Sequence, residues 1–456
     1  MVDEQVVIVS NRGPASFVVS EDGQLEARRG SGGLVSGLAS LGHSASWFAA
    51  AISDGDRVAA GRGVVQTEGF DLHLLSVDEA RYHHAYDVIA NETLWFLHHD
   101  LWALSREPRF DDRWREAWQD YREVNRQFAD AVAAHCDDRA IVLVQDYHLS
   151  LLGSMLAERR PDLRTVHFHH TPFCTADEIS VLPEAVAAEL LDGLCGFRAC
   201  GFHTHRWAMN FAGCSAAASL TPTFVAPLGI DPERLVRDAH SPETDAELAR
   251  IEDEVGGRRF LVRVDRIELS KNLLRGFDAF ETLLERDPSW RGQVTFGAFC
   301  YPSREGVPAY AAYREDIEKR VAEINSRWGG EGWTPILFET DDNYSRSLAA
   351  LRRADAVLVN PVRDGLNLVA KESAIINERG AALVLSDRAG AWEELHSTAD
   401  GVNPFDVSGT ATALDAALRR PEGERAVDAA ARRVRAESRT PADWLADQLE
   451  AARKFG

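Results

Sequence analysis

Residues 362–372 read VRDGLNLVAKE. They follow an apolar run, AVLV at 356–359, that reads as a buried strand, and they lead into a helix-compatible segment through Ile375. A strand, a turn carrying Asp364 and Gly365, and a helix bearing Glu372 form the repeating unit of an α/β protein. Backbone amides at a helix start have no intrahelical partner and suit a phosphate. An ionised carboxylate accepts through two oxygens, so Asp364 and Glu372 suit the paired hydroxyls of a sugar and a ribose. This is the layout of a nucleotide-sugar site; the competing reading is a plain capped helix beside a sheet.

Similar strand-like runs recur at 5–10, 141–145, 165–168, 260–264, 294–299, 336–338 and 382–385, with amphipathic segments between many of them, notably 114–135 and 307–328. Short apolar strands alternating with helices predict parallel sheets. A break is expected at 227–231, where Pro-Leu-Gly-Ile-Asp precedes an acidic stretch. The expected units are 1–228, 229–439 and a tail at 440–456. In the tail Thr440 is a helix cap, Pro441 the first helical residue, and Trp444, Leu445 and Leu449 share a face that packs back on the first unit. Two Rossmann-like halves of this kind predict ligands at the strand carboxyl ends, in a cleft between them.

The 456 residues, 45% apolar, suffice for two cores. No apolar run reaches the length of a membrane span, and the opening MVDEQVVIVS lacks the layout of a signal peptide. Six scattered cysteines without a C-x-x-C pair read as reduced core thiols in a cytoplasmic protein. A net charge of −22 argues against nucleic acid or an anionic membrane as partner. Small molecules are the expected partners, and a homo-oligomer stays open. Any phosphate site must therefore gather its own cations, which gives weight to Arg and Lys at strand ends.

Four such cations, Arg12, Arg266, Lys271 and Arg304, stand out. The first strand ends in Ser10-Asn11-Arg12-Gly13-Pro14, and Arg29-Gly30-Ser31-Gly32-Gly33 follows after a loop. Glycines let backbone amides approach a phosphate. A dinucleotide fingerprint needs its glycines directly after the strand, so a nicotinamide dehydrogenase fits poorly. Asp146 and His170 follow two consecutive strands and are candidates for holding a sugar by hydrogen bonds. Histidines at 167, 169 and 170 suggest a metal, but a strand sends adjacent side chains to opposite faces, so no metal is expected. Asp54-Gly55-Asp56 resembles a metal-binding Asp-x-Asp but sits among polar turn residues and reads as a solvated loop. Arg266 and Lys271 lie where a strand meets a helix, the place for a pyrophosphate leaving group. Arg304, after the strand at 294–299, is a fourth cation, suited like Arg12 to a second phosphate.

In combination these motifs resemble the trehalose-6-phosphate synthases, retaining glycosyltransferases of the two-Rossmann GT-B type (family 20). The shared segments are Ser-Asn-Arg, Gly-Gly-Leu-x-x-Gly, Asp-Tyr-His-Leu, His-x-Pro-Phe, Gly-Phe-His-Thr, Asp-Arg-x-x-x-x-Lys, Ser-Arg and Arg-Asp-Gly-x-Asn-Leu-Val-Ala-Lys-Glu, in that order. The resemblance implies that Arg12, Tyr86, Trp95 and Arg304 hold the phosphate of glucose 6-phosphate and that Gly33 lies against the donor pyrophosphate. It implies Asp146 on acceptor hydroxyls, His170 near the reacting centre, and Arg266 and Lys271 on the leaving phosphate. Asp364 would take donor-sugar hydroxyls, the amides of Asn367 and Leu368 the phosphates, and Glu372 the ribose diol. From its own context Trp95 reads as core. The implied reaction is transfer of glucose from GDP-glucose or UDP-glucose to glucose 6-phosphate, without metal or other cofactor. No fused phosphatase domain is expected after the tail helix.

The chain departs from the family pattern at Gln145, where histidine is usual, at Ile267-Glu268-Leu269, where Leu-Asp-Tyr is common, at His169 and at Ala49. No departure removes a charge the chemistry needs. The acidic segment 338–343, FETDDN, would offer an aspartate to the N1–H and N2 amino group of guanine, whereas uracil has a single N3–H, which favours GDP-glucose over UDP-glucose. A relative with another phosphorylated acceptor, and a non-catalytic sugar-phosphate sensor, are the rival readings.

Overall fold

The computed structural model describes residues 4–20, 22, 24–29, 37–38, 45–304 and 306–456. The chain divides into two compact units, Met1–Leu228 with Pro441–Gly456, and Gly229–Thr440.

The first unit carries β1 (Val6–Val9), β2 (Ala15–Val19), β3 (Leu25–Arg29), β4 (Ala45–Ala50), β5 (Val65–Thr67), β6 (Phe70–Leu75), β7 (Ile141–Gln145), β8 (Arg164–His169), β9 (Ala199–Phe202) and β10 (Thr223–Val225). Among the described residues they form a sheet of order β10-β9-β8-β7-β1-β4-β6-β5 and a separate hairpin of β2 and β3. All pairings in the large sheet are parallel except β5 with β6. Its central strands, VVIV and IVLVQ, are apolar almost throughout and buried, as a sheet covered on both faces requires. The helix Asp112–His135 is capped by Asp111, which accepts from the Trp114 amide, and buries Trp114, Trp118, Tyr121 and Phe128 on one side. The helix Pro441–Phe455 lays Trp444, fully buried, against Phe168 of β8. Asp54-Gly55-Asp56 is not a solvated loop. Ser53 caps a helix there, and the buried Asp56 carboxylate accepts from the amides of Phe17 and Ser53, at 2.8 and 2.9 Å.

The second unit has β11 (Arg259–Ile267), β12 (Val294–Pro302), β13 (Ile336–Glu339), β14 (Ala356–Val359), β15 (Ala382–Ser386) and β16 (Asp400–Val402), all parallel, in the order β13-β12-β11-β14-β15-β16. Alternation along β14 divides the core into two layers: Val357 and Val359 join one cluster, Ala356 and Leu358 the other. Each unit is thus a Rossmann-like α/β layer whose strands end on polar loops. No helix among the described residues is long and apolar enough to cross a membrane.

Candidate functional site

In the first unit the candidate residues gather at the carboxyl ends of β1, β7 and β8. The Ser10 hydroxyl accepts from the Trp47 indole at 2.7 Å and donates to the Arg12 carbonyl at 2.6 Å, which fixes the loop after β1. Arg12, exposed, donates to the Tyr86 hydroxyl at 3.1 Å. Tyr86 lies in an unusual π-helical stretch, His84–Leu94, a geometry that is frequent at functional sites. It stacks on Tyr82 and on His148, ring centroids 5.5 and 5.7 Å apart. His148 in turn lies 4.0 Å from the carboxylate of Asp146. Arg12, Tyr86 and Asp146 are therefore brought together. Trp95 is only 6% exposed, stacked on His99 and tilted against Tyr147, so the reading of its ring as core holds. Gly33 lies outside the described residues.

His170 follows β8 directly. Its Nε2 is 3.0 Å from the Gln145 Oε1, and its Nδ1 is 3.2 Å from the His203 Nε2. Burial pushes its pKa down to about 3, so the ring is neutral at physiological pH.

In the second unit β11 runs out into Arg266 and a short turn containing Lys271. The Lys271 Nζ is 2.6 Å from Asp364, whose same oxygen accepts from the Asn367 amide group at 3.1 Å. Burial disfavours the ammonium, but Asp364 and Asp265 outweigh it and hold the Lys271 pKa above its ordinary value. Beneath lies Arg263, fully buried, which binds Asp265 at 2.8 Å and the Lys271 carbonyl at 2.9 Å. Arg266 pairs with the buried Glu268 at 2.9 Å, and Arg304 pairs with the same carboxylate oxygen. Burial raises the Glu268 pKa, but Arg266 and Arg304 overcome this and set it at about 2. Arg304 thus stands beside Arg266 in this unit, whereas Arg12, Tyr86 and Trp95 belong to the other.

The loop 362–367 precedes the helix Leu368–Ile376, which starts at Leu368 and not at the strand end. Asn367 caps it by accepting from the Ala370 amide at 3.1 Å. The loop is braced by the segment after β15: Gly390 donates to the Asp364 carbonyl and Ala391 to the Leu366 carbonyl, at 3.0 and 2.6 Å. A Cβ on Gly390 would come within 2.0 Å of the Gly365 carbonyl oxygen, so only glycine fits. Glu372 sits on the first turns of the helix, partly exposed; burial alone lifts its carboxyl to about 7.

Asp146, Arg304 and Asn367 have φ of 69°, 51° and 80°. Side chains rarely adopt such a backbone, which costs about 1–3 kcal/mol each and collects at functional sites. Sequence reasoning had no signal for this strain. It also missed Glu268 as the joint partner of two arginines, although its departure from the family pattern marked the position. Among the described residues no group of three or more His, Cys, Asp or Glu side chains is arranged to hold a metal ion.

A model of the family described as Glycosyltransferase family 20 matches residues 4–454. The chain is 34% identical, over 77% of its length, to the bifunctional trehalose-6-phosphate synthase/phosphatase of Thermoproteus tenax, and spans 48% of that relative, about half its length. It is 31% identical to the alpha,alpha-trehalose-phosphate synthase (UDP-forming) of Emericella nidulans, over 93% of this chain and 87% of that one. Among solved structures, an alpha,alpha-trehalose-phosphate synthase (UDP-forming) from Burkholderia xenovorans in complex with glucose-6-phosphate matches with a TM-score of 0.85 at 26% identity, covering 98% of this chain and 100% of that one. Since the family model spans nearly every residue, and a relative above 30% identity aligns over almost the whole chain, the protein belongs to glycosyltransferase family 20 and is a glycosyltransferase.

Proposed function

We propose that this chain transfers glucose from UDP-glucose to the anomeric hydroxyl of glucose 6-phosphate, giving α,α-trehalose 6-phosphate with retention at the donor carbon. The observation that carries the reading is the pair Arg266 and Lys271 at the end of β11, each oriented by a carboxylate, in a protein of net charge −22. Cations held in this way bind a diphosphate and stabilise it further as it leaves. The Emericella relative is named UDP-forming, which favours uridine over guanosine. In the acidic segment 338–343, Asp341 and Asp342 are exposed and remain available to a guanine. Glu339 of the acidic segment is taken up by the buried Arg346, at 3.0 Å, and Asn343 caps the helix Tyr344–Arg353.

The second unit is the donor-binding one. Asp364 and Glu372 accept from donor-sugar and ribose hydroxyls, and the amides of Asn367 and Leu368 at the helix start face the phosphates. The first unit binds the acceptor through Arg12 and Tyr86 on its phosphate and Asp146 on its hydroxyls, with Trp95 supporting them from the core; Arg304, beside Arg266 in the second unit, is a further phosphate-binding cation. His170 lies by the donor sugar. The bond from the donor C1 to the β-phosphate oxygen breaks, its electron pair passing to that oxygen. The acceptor hydroxyl attacks C1 from the same face, and its proton goes to the departing phosphate. No enzyme nucleophile takes part, so catalysis rests on positioning and on charge stabilisation. The cytoplasm is the proposed compartment, since buried cysteines such as Cys136, Cys200 and Cys300 stand as thiols and not in disulfides.

Incubation with UDP-glucose and glucose 6-phosphate, followed by proton NMR of the product, tests the reading. A non-reducing disaccharide phosphate with two α-anomeric signals is expected; a β-configured donor carbon or a linkage to another hydroxyl contradicts it.

A further inference from the structure

Four polar side chains of the first unit, two of them at the ends of β7 and β8, make a directed chain. The Leu228 amide donates to the His203 Nδ1 at 3.3 Å. A backbone amide can only donate, so this Nδ1 carries a lone pair and the His203 proton is on Nε2. That proton points to the His170 Nδ1 at 3.2 Å, which must then be an acceptor. The His170 proton is consequently on Nε2 and is donated to the Gln145 Oε1 at 3.0 Å. This settles the Gln145 amide, whose nitrogen donates to the Gln448 Oε1 at 2.9 Å. One amide at the far end thus sets two tautomers and two amide orientations. It also forces the outcome at the other end: the Gln448 nitrogen, on a fully buried side chain, has no hydrogen-bond partner. Turning the Gln448 amide over would give that nitrogen no better partner and would set two donors face to face. The same helix brings the Trp444 ring to 5.5 Å from the His170 ring, at 52°.

We propose that Gln448, on the helix Pro441–Phe455, and Gln145, at the end of β7, are positioning residues that hold His170 as a neutral Nε2–H tautomer in one ring orientation. The inference rests on the functional reading above for the importance of His170, but not for the tautomer itself. Both ring nitrogens are engaged, so His170 is no general base and meets the donor sugar through its ring edge or backbone. This agrees with a reaction in which the leaving phosphate takes the acceptor's proton. Glutamine at 145 suits the arrangement because one group carries both an acceptor for His170 and a donor for Gln448. The tail helix thereby acts on the reaction from behind the site.

Neutron diffraction from deuterium-exchanged crystals of the full chain reads the proton positions directly. Deuterium on the Nε2 of both His170 and His203, and absent from both Nδ1 atoms, is expected. Deuterium on the His170 Nδ1 overturns the proposal, whether or not the enzyme turns over glucose. Kinetics give the second reading: Gln448→Leu should lower kcat about tenfold through misplacement of the ring, with the KM for glucose 6-phosphate unchanged. Gln448→Glu, which keeps an oxygen for Gln145 to donate to, should restore most of it. Unaltered kcat in a folded Gln448→Leu variant would also overturn the proposal. Absence of turnover in the wild type would instead count against the functional reading, while the neutron result still stands.

Discussion

Glu372→Gln separates what the carboxylate proposed for the ribose does for binding from what it costs the fold. Burial alone lifts this carboxyl from its ordinary 4.5 to about 7. At 1.36 kcal/mol per pKa unit, ionising it in the folded chain costs about 3 kcal/mol. Because the side chain is partly exposed, about 1–2 kcal/mol is the effect to expect in solution. The sign follows from linkage. A carboxyl whose folded pKa is raised contributes stability that is fully present below pH 4.5 and is lost as pH rises through about 7. Glutamine does not titrate, so the variant should match the wild type near pH 4.5 and exceed it by about 1–2 kcal/mol at pH 8. The assay is urea unfolding of both proteins across this range, since other titrating groups cancel in the difference. The loss appears in binding: kcat/KM for UDP-glucose should fall about 10–100-fold as a charge-assisted bond to the diol disappears. In the wild type the same quantity should decline as pH drops below about 7, where the carboxyl protonates and its bonds to the diol lose their charge assistance. A stability difference that does not change with pH, or a variant with undiminished donor use, refutes this account of the residue.

Other perturbations address the remaining parts. Arg266→Ala should lower kcat by about 10²–10³-fold while the KM for glucose 6-phosphate changes little, measured by steady-state kinetics; equal effects on both contradict its place on the leaving phosphate. Arg12→Ala should raise the KM for glucose 6-phosphate about 10–100-fold and leave that for UDP-glucose unaltered. Trp444→Ala empties a fully buried site against Phe168 and His170, so chemical unfolding should show a loss of about 3–5 kcal/mol.

The fold was legible because its strands are short, apolar and separated by helical periods. AVLV at 356–359 is a strand at those residues, and the segment 114–135 lies within the helix Asp112–His135. The candidate site was legible where charge stands out against an acidic background, as at Arg266, Lys271 and Arg304. It was illegible where meaning depends on a partner distant in sequence. Glu268 gains its role only when Arg304 folds onto it, and Gln145 only when Gln448, over 300 positions later, meets it. Backbone strain at Asp146 and Asn367 leaves no mark in residue type, since both occur freely in ordinary turns. Asp54-Gly55-Asp56 misled for a related reason: its polar composition concealed a carboxylate buried against the backbone of β2.

The central claim is acceptor-dependent transfer of glucose from a uridine donor. The most direct test measures nucleoside diphosphate released from UDP-, GDP- and ADP-glucose, each with and without glucose 6-phosphate. Release from UDP-glucose that requires glucose 6-phosphate is expected, with little from the other two. Release from no donor by a folded protein that still binds glucose 6-phosphate would contradict the claim and leave a sugar-phosphate sensor in its place.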